Sequence, residues 1–443
     1  MLKTFSKGGV HPPENKLSAI QTIEQLALPK TVSIPISQHI GAPATPLVKK
    51  NDSVKTGQLI AKSSGFVSAN IHSSVSGKVI KIDSVVDSSG YKKQSIIIEV
   101  EGDEWLEEID RTPELKKEIN LSSEEIIKKV GESGIVGLGG ATFPSQVKLS
   151  VPRGMKAEIL IINGVECEPY LTSDHRLMLE KADELLIGTQ ILMKALKVTQ
   201  AVIGIENNKA DAIEHLTNLT KQYQGISVQA LKVKYPQGGE KQLIKAITGR
   251  EVPSGGLPIA VGAVVHNVGT AFAVYEAVQK NKPLFERVVT VTGKSVKKPS
   301  NFLVRIGTSV ANLIEAAGGL PEDTGKVISG GPMMGRALST IDTPVTKGTS
   351  GILILPEGES RRGKIYDCIR CAKCVSVCPM GLEPYLLMTV TEQQNYERTE
   401  HERVMDCIEC GSCSYICPSN RPLLDYIRLG KVEVGKIIRT RKA

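Results

Sequence analysis

The 443-residue chain carries 55 Lys and Arg against 47 Asp and Glu, a formal charge of +8, with 41% hydrophobic but only 4% aromatic residues. That length predicts about three to four domains, and the cations are scattered, without the aromatic interleaving of a nucleic-acid surface. The most apolar stretch, "LPIAVGAVVHNVGTAFAVYEAV", is broken by His266, Asn267 and Glu276, short of the ~18–20 uninterrupted apolar residues of a membrane span.

Taken in chain order, "MLKTFSKGGVHPPENK" has no apolar run to serve as a secretory signal, and its Gly and Pro content predicts an ordered strap. From Val32 to Val100, short β-rich runs alternate with turn signals, as in "NDSVKTGQLI" and "IHSSVSGKVI". This pattern resembles the barrel-sandwich (biotinyl/lipoyl-like) domain, without the exposed carrier lysine of that family, so residues 1–112 are expected to be a strap and a scaffold. After a charged stretch, Ser122 or Ser123 offers a helix cap, with Glu124 or Glu125 in the first turn. From there, β runs such as "AEILIING" and "AVIGIE" alternate with helical patterns, predicting an α/β domain with a mainly parallel sheet over 113–285. Residues 286–356 read as strands around one helix, "TSVANLIEAAGG", a small α+β module of β-grasp type.

Residues 357–443 hold the strongest signal. "CIRCAKCVSVCP" and "CIECGSCSYICP" both read C-x2-C-x2-C-x3-C-P, the spacing that binds [4Fe–4S] cubes in bacterial two-cluster ferredoxins, where the fourth cysteine of each run serves the other cluster. The assignment is Cys368, Cys371, Cys374 and Cys417 to one cube, and Cys407, Cys410, Cys413 and Cys378 to the other. Zinc sites usually pair C-x2-C halves across a longer gap. Using eight of nine cysteines this way points to a reducing, cytoplasmic setting. Leu386, Leu387 and Val390 predict a helical insert between the runs that shields one cluster, and the basic "KVEVGKIIRTRKA" reads as a solvated tail, with an acidic partner or an anionic membrane surface as the alternative.

Four segments of the α/β domain carry the remaining chemistry. "GIVGLGGATFPSQVKL" allows close approach of backbone to an anion, "IINGVECEPY" ends a strand at the edge where α/β sheets bind ligands, and "YPQGGEKQL" and "VHNVGT" follow. Together they resemble, in order, the flavin- and NADH-binding 51 kDa subunit of respiratory complex I. The whole chain, from the Phe5–Glu14 opening through barrel-sandwich, flavin domain, β-grasp (SLBB) module and twin cluster motifs, resembles the family of C subunits of Rnf complexes. Those are membrane-bound ferredoxin:NAD+ oxidoreductases that transport H+ or Na+.

The resemblance implies a multidomain fold of mixed α/β and α+β type ending in a mostly helical ferredoxin domain. It implies non-covalent FMN held by Gly137, Gly139, Gly140, Ala141 and Lys148, with Asn163, Glu166, Tyr235, Gly238, Asn267 and Thr270 completing the pocket. Phe143 and Glu168 match positions that contact NAD(H). The sequence departs from complex I in lacking aromatics in "KLSVP" and "REVPSGGLP" and in placing His266 where an asparagine stands, which thins the expected clamp on the dinucleotide. The flavin is expected to carry the chemistry, with no side chain as acid or nucleophile. The implied role is a peripheral oxidoreductase subunit at the cytoplasmic face of the membrane, passing electrons between ferredoxin and NAD+ among other Rnf subunits, one of them ferredoxin-like. Two alternatives stay open: a cobalamin reductase of bacterial microcompartments, which would co-purify with shell proteins, and a non-catalytic electron-transfer subunit with a vestigial flavin pocket.

Overall fold

A computed structural model describes residues 2–442. Near the N-terminus, an antiparallel four-stranded sheet (Thr31–Pro35, Lys92–Val100, Gly77–Val86, Ser53–Val54, in spatial order) accompanies a three-stranded one (Thr45–Pro46, Leu59–Lys62, Ile71–His72). Their alternating β-branched residues form the shared core, with Val32, Ile34, Ile60, Ile71, Ile96 and Ile98 all fully buried.

The α/β domain is built on four parallel strands in the spatial order Ile226–Leu231, Ala201–Glu206, Ile159–Asn163, Ala263–Asn267. The chain steps outward from the third of these to the second and first, then returns to lay down the fourth. The direction of winding therefore reverses between Ile159–Asn163 and Ala263–Asn267, and such a switch point opens a crevice at the carboxyl ends of the strands. Ser122 caps the helix Ser123–Glu132 in a full capping box with Glu125. The β-grasp module is a six-stranded mixed sheet around the helix Val310–Ala316, and its edge strand Ile23–Gln25 comes from the N-terminal strap.

In the cluster domain, the expected insert forms the helices Pro384–Glu392 and Tyr396–His401, and its Leu387 and Met388 pack into one core with Cys378 and Cys413. The C-terminal stretch corrects the expectation of a solvated tail. Leu423–Lys442 is one helix packed against the insert, with Ile427 and Val434 buried. Its charge hid an apolar stripe at helical spacing.

The strap joins all of these units. Lys3 and Val10 bridge to Leu231 and Tyr235 of the α/β domain, and Gly9 N donates to Val377 O in the first cysteine run at 2.8 Å. Gly8 sits at φ +68, and a Cβ there would lie 2.6 Å from the carbonyl carbon and oxygen of Cys378. Only a residue without a side chain lets the two backbones meet. Gly8→Ala is expected to lower stability by about 1–3 kcal/mol through positive-φ strain and steric overlap, and to speed chelator extraction of iron from the cluster that uses Cys378. Thermal unfolding and iron release read the two effects.

Candidate functional site

The crevice is floored by two strand ends. Asn163 and Asn267 are register partners on neighbouring strands, so their amides emerge side by side. Asn163 Nδ2 donates to Gly238 O at 2.9 Å, and its Oδ1 accepts from Val165 N at 3.2 Å. Asn267 caps the helix Val268–Gln279 by accepting from Gly269 N at 2.8 Å, and its Nδ2 donates to Asp174 Oδ2 at 2.7 Å. Above them lies the glycine loop, closed at its base by Gly137 N donating to Phe143 O. Buried Thr270 pins it from below, accepting from Leu138 N at 3.0 Å. A Cβ on Gly139 would strike the Asn267 amide at 2.6 Å, whereas Gly140 faces open space. Gly139, Gly140 and Ala141 are exposed and Phe143 is half-buried.

Lys148, one helical turn beyond the loop, donates to Glu240 Oε1 at 2.7 Å and to Val265 O at 3.0 Å. His266 is buried with Nε2 unpartnered among the described residues. Burial, and then the Lys148 charge, push that imidazole down to about 3, so it is neutral at physiological pH. An exposed glycine turn over two amides, a lysine and an unpartnered buried imidazole fits the phosphate and polar edge of FMN.

Other residues assigned by resemblance bond to neighbouring segments of the protein. Glu166, at φ +44, accepts from the amides of Asp174 (2.8 Å) and His175 (3.1 Å), capping the helix Ser173–Glu180. Glu168 accepts from Met333 N (3.2 Å) and Met334 N (2.6 Å) of the β-grasp module. Burial pushes its carboxyl up to about 7. Tyr235 is buried, and its hydroxyl donates to Cys410 O of the cluster domain at 2.8 Å. Free Cys167 accepts from Gly238 N at 3.4 Å. The "PSGG" turn also reaches the clusters, with Gly255 N donating to Asp406 Oδ1 at 3.3 Å.

Two residues escaped the sequence reading. Lys16 of the strap donates to the carbonyls of Glu166 (2.9 Å), Glu168 (2.8 Å) and Leu171 (2.7 Å), holding the loop beside the crevice closed. Burial, then Lys209, lowers it to about 8. Asp174 stands at the crevice floor. Neither carries a local signal, because each acts on residues distant in sequence or across a turn.

The two cysteine runs share one local geometry. Left-handed residues stand at matching frame positions, Arg370 (φ 56) and Ala372 (φ 55) in the first run, Glu409 (φ 56) and Gly411 (φ 78) in the second. These reversals wrap each chain around a point and suit it to a cluster. Burial, and then the charges of Cys407, Cys410 and Cys378, push the Cys413 thiol up, and burial likewise raises Cys374. No three ligating side chains among the described residues close on a single ion; a cube instead holds its thiolates apart at its corners. The two sets differ in exposure. Cys368 and Cys371 are exposed, whereas Cys378, Cys410 and Cys413 are buried, with Cys410 packed among Val10, Tyr235, Cys167 and Met333.

Comparison with known proteins matches residues 4–103 to the RnfC barrel sandwich hybrid domain, 130–276 to the Nuo51 FMN-binding domain, 288–337 to the SLBB domain and 364–418 to the 4Fe-4S dicluster domain. Three C subunits of redox complexes are similar over most of their length. The chain is 50% identical to that of the proton-translocating ferredoxin:NAD(+) oxidoreductase complex of Clostridium ljungdahlii, over 98% of this chain and 94% of that one. It is 46% identical to that of the Na(+)-translocating ferredoxin:NAD(+) oxidoreductase complex of Acetobacterium woodii, over 97% and 96%. It is 44% identical to that of the ion-translocating oxidoreductase complex of Rhodobacter capsulatus, over 87% and 75%.

The Tyr235 hydroxyl separates two roles. Tyr235→Phe keeps the buried ring and is expected to cost about 1 kcal/mol for the lost hydrogen bond. It should shift the midpoint potential of the buried cluster while the exposed cluster stays put, read by redox titration with electron paramagnetic resonance.

Proposed function

The chain belongs to the family of C subunits of ion-translocating ferredoxin:NAD(+) oxidoreductase complexes, and from that premise we propose that it exchanges hydride with NAD(H) at the crevice and single electrons with its complex through the exposed cluster. One observation carries the reading most strongly: the crevice domain reaches the buried cysteine set directly, through Tyr235 to Cys410. FMN bound in the crevice supplies the exchange between two-electron hydride and one-electron cluster traffic, and the protein's share is placement, tuning and shielding.

The residues divide that work. Gly139 and Gly140 present bare backbone to the cofactor. Lys148 supplies the positive charge for its phosphate, and neutral His266 an imidazole nitrogen beside it. Asn163 and Asn267, fixed by Gly238, Gly269 and Asp174, offer rigid amides. Glu166 and Lys16 hold the adjoining loop from opposite sides. Phe143 remains the aromatic available to a dinucleotide, while Glu168 serves as a fastener to the β-grasp module.

The exposure difference sets the order. The buried cluster stands next to the crevice domain, and the exposed one at the rim hands electrons to or from a neighbouring protein of the complex. No helix among the described residues is long and apolar enough to cross a membrane, which suits a peripheral subunit at the cytoplasmic face. Relatives are named for both proton and sodium translocation, which favours a coupling site in other subunits.

Anaerobically purified chain is expected to contain eight iron and eight sulfide per FMN, two cubes each holding about four of both, and to bleach its flavin with NADH. Clusters without FMN or NADH bleaching would refute the reading. The order has its own check. In Cys378→Ser, NADH should reduce the flavin while the exposed cluster stays oxidised; in Cys371→Ser, the buried cluster should still be reduced. Equal reduction of the remaining cluster in both variants would overturn the proposed sequence.

A further inference from the structure

We propose that Asp174 is a positioning and proton-holding residue of the crevice, locking the Asn267 amide and exchanging a proton with solvent as charge enters and leaves above it. The inference rests on FMN occupying the crevice as proposed above.

Asp174 lies in the first turn of the helix Ser173–Glu180. Its Oδ2 accepts from Asn267 Nδ2 at 2.7 Å, while Asn267 Oδ1 is committed to Gly269 N at 2.8 Å. The Asn267 amide in turn lies where a Gly139 side chain would be, 2.6 Å from its ideal Cβ. Carboxyl, amide and glycine loop are therefore stacked in contact from floor to mouth. A shift of the carboxyl moves the amide, and a charge on it acts directly beneath the loop.

Asp174 also lines a cavity of about 30 Å³ between the crevice and the β-grasp module, bordered by Leu138, Glu276, Glu286 and Arg287. A water needs about 10–15 Å³ of such space and polar partners, and both are present. No donor from the described residues reaches Asp174 Oδ1, which leaves that oxygen for a proton or a water. Arg287, buried beside the same cavity, donates to Leu138 O at 3.3 Å and so ties the cavity wall to the glycine loop.

The charges around the carboxyl oppose one another. Burial, and after it the negative charge of Glu166, hold Asp174 well above the usual carboxylate range, while Asn267, Arg287 and Lys209 pull it down. His175, next on the helix, is committed to Asp211 at 2.8 Å. Glu276 and Glu286, across the cavity, share Lys282. Asp174 is thus the carboxyl at the crevice floor without a cation of its own.

The reaction needs such a group. Each hydride delivered by NADH brings two electrons and one proton. The clusters carry off electrons alone, one at a time, so one proton per hydride must leave the crevice for solvent, and one must enter when the flow reverses. Asp174 Oδ1 takes up a proton from cavity water as the charge arrives and returns it as the electrons leave, so that the net release stays one proton per hydride, with no oxidant beyond the clusters and no other co-reactant.

Asp174→Asn preserves an acceptor for Asn267 but cannot titrate. The flavin midpoint potential of the holoprotein should fall with pH along a steeper segment near neutrality, equivalent to one additional proton per two electrons, and Asp174→Asn should lack that segment. Superimposed curves for the two proteins overturn the proposal. Redox-difference infrared spectra of the wild type decide it independently of how the variant folds. A protonated-carboxyl band that grows on reduction and shifts on carboxyl-13C aspartate labelling supports it; no label-sensitive band refutes it. Flavin content separates the two levels: a chain that holds no FMN defeats both readings, whereas FMN with an unaltered pH profile in the variant defeats this one alone.

Discussion

Backbone meeting backbone at the buried cysteine loops is the contact on which the rest of the structure depends. Electron hopping between cofactors demands close-packed protein, and here three segments remote in sequence converge on the loops of Cys378 and Cys410. The strap lays Gly8 against the Cys378 carbonyl, Tyr235 hydrogen-bonds Cys410, and the β-grasp loop sets Met333 O where a Gly411 side chain would stand, 2.7 Å away. Side chains at Gly8 or Gly411 would hold the layers apart. Two glycines therefore let the strap and the β-grasp loop seat closely against the buried cysteine loops.

Lysines buried against carbonyls fasten the domains. Lys347 donates to Asn70 O and Gly134 O, both at 2.7 Å, tying the sandwich, the α/β domain and the β-grasp module with one side chain. Lys209 donates to Val165 O at 2.8 Å, and Lys16 to three carbonyls around the same loop. An amine with several hydrogens satisfies carbonyls arriving from different directions, which a paired carboxylate could not do without burying a second charge. Burial lowers Lys347 to about 7 and Lys16 to about 8, and the three carbonyls around Lys16 take up the three hydrogens of its ammonium form.

The acidic residues near the crevice show how resemblance and geometry divide. Glu166 and Glu168 lie in the segment matched by the Nuo51 FMN-binding domain, yet one caps a helix and the other holds a loop of another module. Both carboxylates are spent on backbone amides of neighbouring segments. Asp174, outside that motif, touches the Asn267 amide. A motif records which residues occupy a segment; their partners come from elements folded over it.

What the sequence determined by itself was everything governed by local spacing: the cluster frames, the cap at Ser122, the parallel α/β pattern, the helical insert and the glycine loop. Cysteine frames and helix caps act over a few residues, so their geometry is written in the residues themselves. Only the tertiary structure decided that the Tyr235 hydroxyl bonds Cys410, that Lys16 closes a loop some 150 positions away, and that Asp174 stands beneath Asn267. Each of those depends on which surface another domain presents. That is a property of packing between remote segments, and no periodicity or spacing along the chain encodes it.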